Sequence, residues 1–162
     1  MSDSSTDPLT PRFADGDTMR VVGLAERYTP ETVGGIPEQW ARFAGRMDEV
    51  RERVDPAAFG LFYPVDEAPS AFDYVAGVTV AEGAPLPDGF AERRIPARRH
   101  AVFTHRGHVA GLRSFTHRIF HDWLPRSGYR AAGRPLFTEV YGEDFDAETA
   151  EGVVEVWVPL AD

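Results

Sequence analysis

Two stretches of the chain carry apolar residues at a helical period. Ile36, Trp40, Phe43, Ala44, Met47, Val50 and Val54 fall on one face, with Arg42, Arg46, Glu49 and Arg53 opposite. That separation matches 3.6 residues per turn. Pro37 suits an early helical position and Pro56 helps to end the run, so the pattern predicts a helix over 37–54. Leu112, Phe115, Ile119 and Trp123 form a second stripe, bounded by Pro125 and Gly128, which predicts a helix over 109–124. Strand-like runs surround both. TMRVVGLAERY precedes the first helix and FGLFYPV follows it. In FDYVAGVTV, the residues Phe72, Tyr74, Ala76, Val78 and Val80 alternate onto one face. FAERRIPARRHAVFTH is long and interrupted by Pro96, which predicts a bulge, an edge strand or two shorter pieces. PLFTEVYG and VVEVWVPL close the chain, and AEGAPLPDG and SGYRAAGR read as connectors.

The order strand–helix–strand–strand thus occurs twice, over about 19–80 and 90–162. It repeats as a series of elements and not as letters. Each amphipathic helix would cover part of a mostly antiparallel sheet, an α+β fold of two modules related by a pseudo-twofold axis. A central cleft between the modules is the natural ligand site. The polar stretch 1–18 lacks the basic-then-apolar order of a secretory signal and is expected to be a disordered tail.

Composition narrows the chemistry. The 162 residues make one domain with enough interior to fold unaided. With no cysteine there is no disulfide, thiolate zinc site or iron–sulfur cluster, which agrees with a cytoplasmic location. No apolar run reaches the length of a membrane-spanning helix. The formal net charge of −9 disfavours direct nucleic-acid or anionic-membrane binding.

The most informative segment is Phe137-Thr138-Glu139-Val140-Tyr141. In a strand, Phe137, Glu139 and Tyr141 share a face, so a carboxylate sits between two rings. On an open surface Glu139 is an ordinary acid. In a cleft it is desolvated, and a cationic ligand between aromatic faces would compensate it. Trp40, Trp123 and Trp157 fall one on each helix and one on the last strand, and Phe62 and Tyr74 on the first module's strands. Most such rings pack a core, yet some must line any cleft, and Tyr74, Tyr141 and Trp157 carry polar handles suited to a wet edge. His117 and His121 stand i, i+4, opposite the apolar stripe, and His105 and His108 flank Gly107 in an expected turn. Without an HExxH-like pattern no metal site is expected, and no P-loop, dinucleotide fingerprint or nucleophile elbow implies a cofactor. Arg93, Arg94, Arg98 and Arg99 read either as an anion patch or as a solvated edge strand.

Taken together, Ile36-Pro37-Glu38-Gln39-Trp40-Ala41-Arg42-Phe43, Phe72-Asp73-Tyr74-Val75-Ala76-Gly77-Val78, Ile95-Pro96-Ala97, Ala101-Val102-Phe103-Thr104-His105-Arg106-Gly107, Trp123-Leu124-Pro125-Arg126-Ser127-Gly128-Tyr129, Glu139-Val140-Tyr141 and Val156-Trp157-Val158-Pro159-Leu160 occur in an order and spacing that resembles the GyrI-like small-molecule-binding domains. These are related to the effector-binding domains of AraC-type and multidrug-responsive transcription activators. The resemblance covers about Met19 to Asp162. It implies a cleft for flat, lipophilic, often cationic molecules, with Glu139 as the acidic position and Tyr141 and Trp157 as aromatic ones. Some standalone members are implied to hydrolyse cyclopropane-bearing electrophiles; there Glu139 would activate or position water and a tyrosine, here Tyr141, would assist ring opening. Others are associated with protecting DNA gyrase, which makes a protein partner such as gyrase a third alternative. Arg98-Arg99-His100 departs from the Gly-Lys-Tyr-like stretch of relatives and bears on the charge of one cleft edge.

Overall fold

The computed structural model describes residues 9–68, 70–146 and 148–161. Eight strands form one sheet: β1 (Arg12–Asp15), β2 (Met19–Tyr28), β3 (Ala58–Pro64), β4 (Phe72–Val80), β5 (Ala91–Ile95), β6 (Arg99–His108), β7 (Phe137–Tyr141) and β8 (Glu151–Pro159). Their order is β1-β6-β8-β7-β3-β4-β2-β5, and every pairing is antiparallel. Helix α1 (Ile36–Ala44) lies between β2 and β3. Helices α2 (Leu112–Arg118) and α3 (Leu124–Ser127) lie between β6 and β7. The fold is α+β, with β2-α1-β3-β4 and β6-α2-β7-β8 as its two halves, meeting along β3 and β7.

The strand that precedes each half crosses to the other. β1 leads into β2 yet pairs with β6, while β5 leads into β6 yet pairs with β2. In a flat sheet β5 and β6 would stand six strand spacings apart, roughly 29 Å. The chain from Ile95 to Arg99 spans at most about 14 Å. The sheet must therefore curl until its two ends come near each other. The Gly16 N–H to Arg98 C=O bond, 3.5 Å, joins the two crossing connectors.

Curling gives the sheet an inner and an outer face. The inner face is filled by Val21, Phe59, Leu61, Tyr63, Val75 and Ile95. The outer face carries the helices. Helix α1 packs Phe43 and Trp40 over Val22, Tyr74, Ala76 and Val78. Helix α2 and the turns after it pack Leu112 and Ile119 over Ala101, Phe103, Val154 and Val156. Gln39 is wholly buried and fixes α1 to the sheet. Its Nε2 donates to the carbonyls of Leu24, 2.7 Å, and Tyr74, 3.1 Å. Its Oε1 accepts from the Tyr28 hydroxyl at 2.6 Å.

Several expectations need correction. Residues 1–8 of the expected tail lie outside the described residues, but Arg12–Asp15 is an ordered edge strand, tied by Arg99 to Asp15 at 3.1 Å. The first helix ends at Gly45, not at 54; a short 3-10 turn at Met47–Glu49 follows, and Val54 is exposed. The second helical region runs past Pro125 to Ser127 and stops at Gly128, whose φ of 82° suits glycine. A π turn over Ile119–Trp123 lets it continue, because i→i+5 bonding changes which carbonyls need a donor before Pro125. The Gly107 segment is not a turn: β6 extends through His108, pairing Gly107 with Gly152. Pro96 does split its run into two strands, β5 at an edge.

Candidate functional site

Helices cover the outer face of the curled sheet on both flanks but leave its centre open, where β3 and β7 pair. Alternation decides what is exposed there. Phe137, Glu139 and Tyr141 of β7 stand beside Phe62, Gly60 and Ala58 of β3 respectively. Tyr74 of β4 leans across Gly60: a Cβ there would lie 2.3 Å from the Tyr74 hydroxyl. The absence of a side chain at Gly60 is thus what lets this hydroxyl into the centre of the site.

The result is a cavity of about 550 Å³, a size suited to a drug-like molecule. Phe62, Phe72, Tyr74, Phe137, Glu139 and Tyr141 form its floor. Pro30, Val33 and Ile36 wall it from the α1 side. Leu112, Arg113, Thr116, His117, Phe120 and His121 wall it from the α2 side. The rings are mutually packed: Phe62 stacks on Phe137 at 4.2 Å and meets Tyr74 edge-on at 4.7 Å.

Glu139 is 8% exposed. Its carboxylate accepts a hydrogen bond from the Tyr141 hydroxyl at 2.6 Å. No ion pair among the described residues reaches it. Burial therefore raises its pKa to about 7, against the partial relief given by Tyr141. Burial and the nearby carboxylate push the Tyr141 and Tyr74 hydroxyls well above their usual range, so both stay protonated. Donor chemistry orders the chain of bonds behind the acid. Trp40 Nε1, a donor only, reaches the Tyr74 oxygen at 2.8 Å. The Tyr74 hydroxyl contacts Tyr141, whose single proton is already given to Glu139. Trp40, Tyr74, Tyr141 and Glu139 thus form one relay that aims donors at the carboxylate. Trp40→Phe removes the first donor and is expected to cost about 1 kcal/mol in urea unfolding.

Of the residues singled out in the sequence, Glu139, Tyr141, Phe137, Tyr74 and Phe62 line the cleft. Trp40 stands behind them, its ring 5.6 Å from Tyr141. Trp157 and Trp123 lie elsewhere. Trp157 pairs with Thr138, so it takes the face opposite Glu139, near His100 and Arg12. Trp123 turns onto Phe103 and Tyr129. The arginine-rich departure is also remote from the cleft lining: Arg99 pairs with Asp15, and Arg98 donates to the Leu160 carbonyl at 2.8 Å. The α2 wall was missed. Its signal is the second i, i+4 row, Leu112–Thr116–Phe120, beside the basic row Arg113–His117–His121. His117 and His121 stack with ring centroids 3.9 Å apart and planes 21° apart. Near-parallel rings do not aim their nitrogens at one shared ion. Among the described residues no group of three or more His, Cys, Asp or Glu is placed to hold a metal.

Residues 9–161 match the family model for the GyrI-like small molecule binding domain. The chain belongs to the GyrI-like family. It is similar to the transcriptional regulator BrlR of Pseudomonas aeruginosa, with 28% identity over 151 residues, 92% of this chain and 54% of that protein. The chain thus spans about half the length of that regulator. Among solved structures it resembles SAV2435 bound to tetraphenylphosphonium, with 18% identity, a TM-score of 0.75 and 93% of each chain covered. It also resembles EcmrR in its DNA complex, with 17% identity, a TM-score of 0.68, and 94% of this chain against 57% of that one. These structural likenesses establish the GyrI-like fold. No helix among the described residues is long and apolar enough to cross a membrane.

Proposed function

We propose that this GyrI-like domain binds flat, lipophilic molecules bearing a cationic group, which it holds in the aromatic cleft with Glu139 as counterion. One observation carries this reading: a carboxylate at the floor of a largely aromatic and aliphatic cavity, supplied with a phenol donor but with no ion-pair partner among the described residues. A buried acid of this kind is costly when ionised, and an incoming cation removes the cost. The rings of Phe62, Phe137, Tyr74 and Tyr141 add apolar contact and faces for cation–π attraction. The tetraphenylphosphonium in the SAV2435 structure combines aromatic rings with a positive charge, which supports the lipophilic and cationic parts of this reading.

Calorimetric titration with tetraphenylphosphonium and with neutral triphenylphosphine oxide tests it. The cation is expected to bind at least about tenfold more tightly, a difference of about 1.4 kcal/mol. Glu139→Gln should abolish that preference while leaving the neutral compound's affinity in place. Equal binding of both compounds by the wild-type chain overturns the assignment of Glu139 as counterion.

A further inference from the structure

The cleft is bipolar. Among the described residues that line it Glu139 alone is acidic, and it lies at the floor. The basic ones, Arg113, His117 and His121, all stand on the α2 wall and are exposed, where Glu139 is buried. Four-residue spacing, continued through the π turn, aligns them in one row over roughly 12 Å of helix. Arg113 lines the cleft, is exposed and makes no ion pair with any described residue. Between these groups, Thr116 lines the same wall, 9% exposed, and its buried hydroxyl has no hydrogen-bond partner. A ligand that carried only positive charge would have to pass this rim and would leave it unused.

We infer that the cleft selects amphoteric ligands: flat aromatic molecules with a cationic group seated against Glu139 and an anionic group, a carboxylate or its equivalent, at the Arg113–His117–His121 rim. This rests on the assignment of Glu139 as counterion and adds a second pole to it. The guanidinium supplies planar paired donors, and the two imidazoles supply further N–H groups, the chemistry that recognises a carboxylate. The ligand would lie along the axis from floor to mouth, its two charges fixing which end enters first.

A matched dye pair tests the rim separately from the floor. Rhodamine 110 carries a cationic xanthylium core and a free benzoate; rhodamine 123 is its methyl ester and carries the cation alone. By fluorescence anisotropy at pH 7.5, rhodamine 110 is expected to bind about fivefold more tightly, the scale of a partly exposed ion pair. Arg113→Gln should weaken rhodamine 110 and tighten rhodamine 123, so that the preference disappears or inverts. Arg126→Gln, on α3 and outside the cleft lining, controls for loss of one positive charge and should change neither. If the wild-type chain binds rhodamine 123 as tightly as rhodamine 110, or if Arg113→Gln leaves the ratio intact, the rim proposal is wrong while the floor assignment stands. If Glu139→Gln fails to weaken rhodamine 123, the floor assignment fails, and the two-pole proposal that rests on it falls as well, whatever Arg113→Gln does. If neither dye binds, both proposals fall.

Discussion

Between pH 4.5 and pH 8 the wild-type chain is expected to lose about 3 kcal/mol of stability relative to Glu139→Gln. The folded chain holds the Glu139 proton with a pKa of about 7, against an ordinary 4.5. Below pH 4.5 the group is protonated in both the folded and the unfolded chain and contributes no pH dependence. Above 4.5 the unfolded chain releases the proton first, so each further step in pH favours unfolding. The loss is complete once the folded group also ionises, above about pH 7. Glutamine has no proton to lose and keeps an oxygen for the Tyr141 hydroxyl. Urea unfolding of both proteins across this range gives the difference directly. Parallel curves would show that Glu139 is not buried in solution.

The same linkage acts on binding. A cation selects the ionised carboxylate, so its apparent affinity should rise with pH and level off above the folded pKa. From pH 6 to pH 8 the expected gain is about tenfold, and it should be absent in Glu139→Gln. Calorimetry near pH 6.5 in buffers of different ionisation enthalpy should record release of up to one proton per bound cation.

Gly60→Ala is expected to destabilise the fold by about 2–3 kcal/mol and to weaken cation binding with it. The added methyl would lie 2.3 Å from the Tyr74 hydroxyl, 2.9 Å from its Cζ and 3.1 Å from its Cε1. Tyr74 is 1% exposed, boxed in by Trp40 and Phe62, and has nowhere to turn. Moving it breaks the bond from Trp40 and the contact with Tyr141, so Glu139 loses an ordered donor. Tyr74→Phe in the same chain removes the closest clash and should recover part of the stability, though not the binding. A double-mutant cycle in urea measures the coupling. Additive effects would mean that Tyr74 and residue 60 do not meet.

Alternation made the floor of the cleft legible. The two-residue period put Phe137, Glu139 and Tyr141 on one face, and Tyr74 with the apolar face of β4. The same rule already removes Trp157, because Val154, Val156 and Val158 form the buried face of β8 and Trp157 shares the other with Glu155. Aromatic character alone does not place a ring in the cleft. What stayed illegible depends on contacts distant in sequence. Nothing in Arg12–Asp15 says that it pairs with β6, since its partner lies almost ninety residues away. The length of the first helix was overstated because Met47 and Val50 keep the apolar period after Gly45 has ended the hydrogen-bonded helix. The α2 wall is masked in the sequence by a stronger stripe: Leu112, Phe115 and Ile119 pack on the core, and the neighbouring rows, with Arg113, His117 and His121 among them, have the polarity of ordinary helix surface.

The crossing of β1 and β5 has a consequence for dissecting the molecule. A cut in the 81–90 connector separates the two halves in sequence but not in space, because each piece still carries an edge strand of the other. The N-terminal fragment would keep β1 with nothing to pair against and leave one margin of β2 bare; the C-terminal fragment would do the same with β5 and β6. Neither should fold alone, whereas the two produced together should reassemble by complementation, and the recovered cleft would then report that the halves had clasped.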